Sequence, residues 1–437
     1  MPIWRLGGRA KLKRRMADSL QLNVQFWPLN TEVLAFVQEA KSRGRKVVLA
    51  TAADSQIAAA MQSRLKLFDE LVTSDGSTNL SGKIKAATLS QRFGAKNFDY
   101  IGNSRSDLPV WAEARLAYVV DTSNGMVQKA EKVARVERVF IVPPSGWQDW
   151  VRGLRLHQWS KNLLLIIPML GAHKWTDPAR MWLVMLGMAA FSLCASSVYL
   201  LNDLLDLESD RQHHSKQHRP LASGKISLLT GLITAPLLLL AAAALASNLG
   251  LRFAAILGAY YLMTVIYSLR LKQAELLDVL TLAGLYGIRV LAGGVVAEVM
   301  VSDWLMMFSL FVFLSLAFAK RFTELRMTGR LGETKLKGRA YAGDDTELVS
   351  SMGVSSGYLS VLVLAMYVSH PSVTALYLRP QLLWLACPVL LYWISRVWLL
   401  AHRGRMHNDP IVFALRDWQS WLVVALMAII GFMAGPK

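Results

Sequence analysis

From about residue 160 onward the chain alternates long apolar runs with short polar connectors; before that point it does not. Windows of about 20 apolar residues, enough for a helix to cross a hydrocarbon core, fall at 160–173, 181–203, 227–247, 250–268, 278–298, 303–321, 353–370, 381–400 and 418–434. Nine spans are therefore expected, the first short and the fifth containing Arg289. The first 150 residues carry another pattern. Glu32–Arg43 and Gln56–Leu65 have helical spacing, while Lys46–Ala50, Asp99–Ile101 and Ala117–Val120 read as short buried strands. Strands alternating with helices predict a parallel sheet with helices on both faces. The expected organisation is an α/β domain over 1–125, a linker over 126–152 containing Pro143-Pro144-Ser145-Gly146, and an all-α membrane domain over 153–437.

Charge refines this picture. The connectors 206–225, 269–276, 320–345 and 401–417 hold 16 Lys and Arg, among them Arg211, Lys216, Arg219, Lys272, Lys320, Arg321, Lys335, Lys337 and Arg339. The intervening connectors hold only Lys174, Arg180, Arg252 and Arg379. The bias places the first set and the N-terminal domain in the cytoplasm, with the C-terminus outside. It also accounts for the net charge of +18 without a nucleic-acid partner. With 54% hydrophobic residues and a mean hydropathy of +0.34, the composition fits a polytopic membrane protein and not a soluble enzyme. Cys194 and Cys387 both lie in apolar runs, so no disulfide framework is implied. Basic Met1–Arg15 precedes no apolar stretch, so no cleavable signal peptide is expected. The sequence leaves a homo-oligomer open.

The candidate chemistry begins directly after the run Trp182–Leu201, where Asn202, Asp203, Asp206, Glu208 and Asp210 follow one another. If the helix continues, Asn202, Asp206 and Asp210 share nearly one face. Carboxylates at a bilayer boundary are costly unless a cation offsets them. Mg²⁺ suits such oxygen ligands and completes its shell with water and substrate phosphate. A solvated, acid-rich helix end is the alternative. Asp278 and Arg289 lie eleven residues apart, about three helical turns or roughly 16 Å, on one face of the fifth span. Arg289, inside the membrane region, calls for an anionic partner, either a substrate phosphate or a carboxylate. Lys320, Arg321 and Glu324 share a helix face. Lys272 and Tyr267 are equally open to interfacial roles.

The acidic row continues through Arg211, Lys216 and Arg219-Pro220-Leu-Ala-Ser-Gly224-Lys225. NDxxDxxxDR followed by RPLASG resembles the first signature of the UbiA prenyltransferase superfamily, over about 150–437. The resemblance implies that Asn202, Asp206 and Asp210 hold Mg²⁺ against a diphosphate, with Arg211, Lys216 and Arg219 as phosphate partners. Asp203 is implied as a ligand or as support for one. Mixed spacing makes His213, His214 and His218 solvated or phosphate-contacting rather than metal ligands. Where the superfamily carries a second acidic motif, DxxxD, this chain reads Ala319-Lys320-Arg321-Phe322-Thr323-Glu324. Cations there would bind phosphate directly. With Tyr267 to Lys272, Asp278, Arg289 to Gly294, Gly338-Arg339-Ala-Tyr341 and Asp409 to Asp417, this departure is similar to the branch containing decaprenyl-phosphate phosphoribosyltransferases. That branch implies transfer of 5-phosphoribosyl from phosphoribosyl pyrophosphate to a polyprenyl phosphate. Asp206, Asp210, Lys272, Lys320, Arg321 and Glu324 would be catalytic, and Tyr267, Arg289, Arg339 and Tyr341 would bind phosphate. The alternatives are ordinary prenyl transfer to an aromatic or other acceptor, and a non-catalytic lipid-binding or transport protein. A bacterial cytoplasmic membrane is the expected location.

The N-terminal stretch Val47–Asp54, with Ser74-Asp75-Gly76, Gly82-Lys83-Ile84-Lys85 and Tyr100-Ile101-Gly102-Asn103 through Asp107, resembles haloacid-dehalogenase-like hydrolases. Thr51, Lys83 or Lys85, and Asp107 match that family's phosphate- and Mg²⁺-binding positions, while Asn103 stands where Asp is common. No DxD nucleophile strand precedes, so no phospho-aspartyl intermediate and no phosphatase activity are expected. A scaffold or regulatory role is the simpler reading, and a truncated reading frame would remove the same strand.

Overall fold

A computed structural model describes residues 24–75, 77–121, 124–214, 216–330, 339–406 and 409–435, together with Arg14 and Asp18. The positions expected for a nucleophile strand, and Lys335 and Lys337 among the connector cations, lie outside these. The chain divides into two compact units. One, an α/β unit, comprises 1–150 and 206–228; the other, a helical unit, comprises 151–205 and 229–437.

In the α/β unit, β1 (Val48–Asp54) pairs in parallel with β2 (Glu70–Ser74), and β3 (Tyr100–Gly102), β4 (Ala117–Asp121) and β5 (Val136–Ile141) form a second parallel sheet in that order. Two small sheets replace the single one expected. Helices α1 (Thr31–Ser42), α2 (Ser55–Leu65), α3 (Lys83–Phe93), α4 (Leu108–Glu113) and α5 (Asn124–Glu131) alternate with the strands, and α6 (Trp147–Gly153) follows them. Asn30 and Asp54 cap α1 and α2 by accepting the backbone N–H groups of Val33 and Gln56. Val110, Trp111, Ala117, Val119 and Ala130 are buried in the core. The expected linker therefore contains α5 and β5; Val136, Val139 and Phe140 supply the strand signal that Pro143-Pro144 overshadowed.

The helical unit opens with a 3₁₀ helix, Leu156–Ile166, and α7 (Ile167–Gly171). Then come α8 (Pro178–Leu205), α10 (Leu228–Asn248), α11 (Leu251–Leu269), α12 (Leu277–Val296), α13 (Asp303–Arg330), α14 (Thr346–Ser369), α15 (Pro371–Thr374), α16 (Ala386–His402), α17 (Pro410–Arg416) and α18 (Trp418–Ala434). The short α9 (Leu207–Gln212) lies in the α/β unit. Among the described residues seven helical segments are long and apolar enough to cross a membrane, matching seven of the nine expected windows. The other two differ. Residues 160–173 form the 3₁₀–α7 pair, interrupted at Pro168, and α18 has only 17 residues. Gly293 explains why the 3₁₀ segment can hug α12: a Cβ there would lie 2.1 Å from the Leu165 carbonyl oxygen. Gly353 likewise lets α14 meet Trp398. Helix α13 runs past residue 321 to Arg330, so Lys320 and Arg321 belong to a helix interior and not to the connector that the charge pattern suggested.

Candidate active site

The helical unit holds a buried ionic network around Asp278, in the first turn of α12. Asp278 and Arg321 are both 0% exposed. The Asp278 carboxylate accepts from the Tyr267 hydroxyl at 2.8 Å, Arg321 Nη2 at 3.0 Å and Arg339 Nη1 at 3.1 Å, all on Oδ1, while Oδ2 accepts from Arg321 Nε. Arg321 and Arg339 also donate to the Tyr267 hydroxyl at 3.1 and 2.9 Å, and Arg321 Nη1 donates to Glu324. Arg339 reaches the Lys272 carbonyl at 3.2 Å, and the Tyr341 hydroxyl accepts from Leu276 N–H at 3.1 Å. Leu276 sits at φ +59, a conformation that L residues adopt at a cost of roughly 1–2 kcal/mol, and this bond braces it. Two guanidinium groups thus balance two carboxylates, and a buried charge is tolerable only when matched in this way.

Of the three residues that helix spacing grouped, Arg321 contacts Glu324, and Arg321 and Arg339 both donate to Asp278. Lys320 is different. Among the described residues it has no hydrogen-bond or ion-pair partner, and its nearest charges are Glu324, Arg321, Lys161 and Asp409. Lys161, on the 3₁₀ helix, is a residue that sequence reasoning missed. It is 8% exposed, donates to Asp409 at 2.6 Å and lies 5.6 Å from the centre of the Tyr286 ring. Burial works against the Asp409 charge, but Lys161 and Lys320 hold its carboxyl below the usual range. Its only sequence signal was a lysine at the start of a short apolar window.

Arg289 corrects an expectation. It does not pair with Asp278, and its donors go to neutral acceptors: Asn162 Oδ1 at 2.9 Å, the Tyr260 hydroxyl at 2.9 Å and the Leu285 carbonyl. The Tyr260 ring lies 4.6 Å from the guanidinium. Asn162 in turn donates to Ser192 at 2.8 Å. Arg289 therefore ties the 3₁₀ helix to α11 and α12.

Helix α8 ends at Leu205 and Asp206, at φ −90 and ψ 11, separates it from α9, so Asn202, Asp206 and Asp210 are not on one continuous helical face. Asp is a poor helix interior residue and its carboxylate favours the N-terminal side of a new helix. Asn202 donates its amide to Ser268 at 2.9 Å, which directs its oxygen away from that bond. Asp203 pairs with Arg155 at 2.5 Å. Asp210 is buried and accepts from Arg219 Nη1 at 2.6 Å; Arg211 Nε donates to the Ala222 carbonyl at 3.2 Å. Lys216 opens a single 3₁₀ turn and is exposed. Among the described residues no three His, Cys, Asp or Glu side chains gather into a metal site. The carboxylates of Asp206 and Asp210 nonetheless offer oxygen donors, which fit Mg²⁺ held jointly with a substrate's phosphates and not a protein-only cage.

The model of the UbiA prenyltransferase family matches residues 163–423. The chain belongs to that family. An uncharacterized protein of Sinorhizobium fredii, y4nM, is 36% identical over 437 residues, covering 99% of this chain and 84% of the relative. A decaprenyl-phosphate phosphoribosyltransferase of Mycolicibacterium smegmatis is 32% identical over 188 residues, or 42% of this chain and 58% of that enzyme. The solved structure of a UbiA homolog from Archaeoglobus fulgidus, bound to DMAPP and Mg²⁺, shares the fold of the helical unit with a TM-score of 0.51 at 16% identity, covering 65% of this chain and 98% of that one. Family and spans together make this UbiA protein an integral membrane transferase.

Proposed function

We propose that this UbiA-family transferase moves a 5-phosphoribosyl group from phosphoribosyl pyrophosphate to a polyprenyl phosphate at the cytoplasmic side of a bacterial inner membrane. The observation that carries the reading is Lys320, a half-buried ammonium without a hydrogen-bond or ion-pair partner among the described residues, where the superfamily's second motif has acidic groups. The partial similarity to decaprenyl-phosphate phosphoribosyltransferases supports it. The bond from ribose C1 to the pyrophosphate oxygen breaks, and a bond from C1 to an oxygen of the lipid phosphate forms. The acceptor is already an anion, so no base is needed. Lys320 binds a phosphate directly, and a charge-assisted contact of this kind contributes about 1.5–3 kcal/mol. Arg321, Arg339, Tyr267 and Glu324 hold the Asp278 network in place, and Tyr341 braces the entry to α12. The oxygens of Asn202, Asp206 and Asp210 would hold Mg²⁺, which would neutralise charge on the departing pyrophosphate. Arg211, Lys216 and Lys272 are further cations on the same proposed cytoplasmic side, where positive charge draws in phosphorylated substrates. Catalysis is then mostly orientation and charge stabilisation.

Membranes from expressing cells, given Mg²⁺, polyprenyl phosphate and labelled phosphoribosyl pyrophosphate, are expected to yield labelled lipid. Absence of labelled lipid, with transfer from a labelled prenyl diphosphate to an aromatic acceptor in the same membranes, would replace this reading by ordinary prenyl transfer.

A further inference from the structure

The connector 206–228 that carries the acidic segment folds with the α/β unit, and its own interior is tightly tied. Arg219 holds Asp210, Arg211 holds the Ala222 carbonyl, Ile226 N–H reaches the Pro220 carbonyl at 3.0 Å, and Leu221, Ala222 and Ile226 are buried. Contacts at Gly224 and Lys225 are among those that fasten this connector to the rest of the unit. Gly224, at φ +76, lies under the Pro28 ring, whose Cγ would be 3.3 Å from an added Cβ. Next to it, Lys225 Nζ is 3.5 Å from Asp149 Oδ1, while Asp149 Oδ2 accepts from Gly146 N–H at 3.1 Å. The segment before Pro28 is itself anchored, because Arg64 on α2 donates to the carbonyls of Val24 and Trp27 at 2.5 and 3.1 Å. A chain of contacts therefore runs from the helix that follows β1, through Pro28, to the loop that fixes Asp210.

We infer that Pro28 and Asp149 are positioning residues: the α/β unit clamps the 206–228 connector and thereby sets the placement of Asp206 and Asp210. The inference rests on the proposed diphosphate chemistry for its catalytic consequence, but the clamp can be measured without it. Arg219 is followed by Pro220 and resists trypsin, so cleavage after Lys216 in the full-length protein in detergent reports how often the connector opens. Cleavage follows the open population when opening and reclosing are fast. Asp149→Lys, which sets like charges together, is expected to speed it roughly two- to fivefold, the scale of an exposed ion pair. Gly224→Val, strained at a left-handed position and pressed against Pro28, is expected to speed it roughly tenfold. Combining Asp149→Lys with Lys225→Glu is expected to restore the slow rate. With labelled phosphoribosyl pyrophosphate, Asp149→Lys is expected to raise KM several-fold with kcat nearly unchanged, and the charge-swapped pair to return it.

Unchanged cleavage in both Asp149→Lys and Gly224→Val would overturn the clamp. Faster cleavage without restoration by the swap, or with KM unmoved in membranes that do make labelled lipid, would overturn the positioning role. A cleavage pattern that follows the swap in membranes making no labelled lipid would leave the clamp standing and remove the phosphoribosyl reading instead; the KM test then passes to labelled prenyl diphosphate, where an unmoved KM overturns positioning.

Discussion

Asp278→Asn tests whether the buried network is what holds Arg321 and Arg339 in the helical unit. The substitution keeps the side chain's shape and removes the carboxylate that accepts from both guanidinium groups and from Tyr267. Removing one partner of a buried ion pair costs about 3–5 kcal/mol, because the other charge stays buried without compensation. Here the lower end is expected. Glu324 remains on Arg321, and the Arg339 side chain is 20% exposed, so water recovers part of its loss. A cost of about 3 kcal/mol in a unit of this size shifts the melting midpoint by about 6 °C. The assay is thermal unfolding of the full-length protein in detergent, read by the fraction that stays monodisperse after heating. Arg321→Gln alone is expected to cost a similar amount. The double variant should cost less than the sum of the two by at least about 1 kcal/mol, since each single change strands what the other removes. A midpoint for Asp278→Asn within about 1 °C of the wild type, or strictly additive single and double variants, would refute the network.

Other outcomes follow from the same geometry. Lys320→Met should lower kcat/KM for phosphoribosyl pyrophosphate or for the lipid phosphate by roughly 10- to 150-fold, the range of one charge-assisted contact, while Lys320→Arg retains most of it; steady-state kinetics with each substrate varied decides between them. Asp206→Asn should raise the Mg²⁺ concentration needed for half-maximal labelling by about tenfold, and an unchanged Mg²⁺ titration would remove Asp206 from the metal ligands. In the α/β unit, burial alone would raise the Asp107 pKa, but the Ser104 hydroxyl and the Lys85 charge outweigh it and hold the carboxyl below the usual value. Its stabilising contribution is therefore present above an unfolded value of about 3.9 and lost as pH falls below it. The midpoint difference between wild type and Asp107→Asn should accordingly shrink below about pH 4, and a difference independent of pH would contradict the assignment.

Seven of the spans were legible because a run of about 20 apolar residues has few other uses. The shorter elements were not. Pro168 and the close approach of Gly293 to Leu165 turn the first window into a 3₁₀ segment, and neither feature has a periodic signature. In the α/β unit the alternation of strands and helices was readable, while β5 was hidden by the Pro-rich stretch that follows it. The different surroundings of Lys83 and Lys85 were also beyond spacing. Only Lys85 is buried, and it donates to Tyr100 at 2.9 Å and to Asp107 at 3.4 Å.

The candidate site divides in the same way between local and distant information. Periodicity set Arg321 within reach of Glu324 one turn on, because that is a property of one helix. The membrane setting of Arg289 suggested an anionic partner, and among the described residues no carboxylate supplies it. The acceptors that satisfy Arg289 are a carbonyl one turn back, a tyrosine on α11 and an asparagine 127 positions earlier. A buried guanidinium needs its donors used, and neutral oxygens can use them. The contrast between neighbours on α13 is sharper still. Arg321 finds Asp278, 43 positions away, and is consumed by it. Lys320, about 100° around the same helix, meets no such partner among the described residues. A half-buried ammonium that touches none of its neighbouring charges gains from an anion placed beside it. Under the proposed function a phosphate would sit beside Lys320, whereas Arg321 is already engaged by Asp278, a difference that the sequence alone could not show.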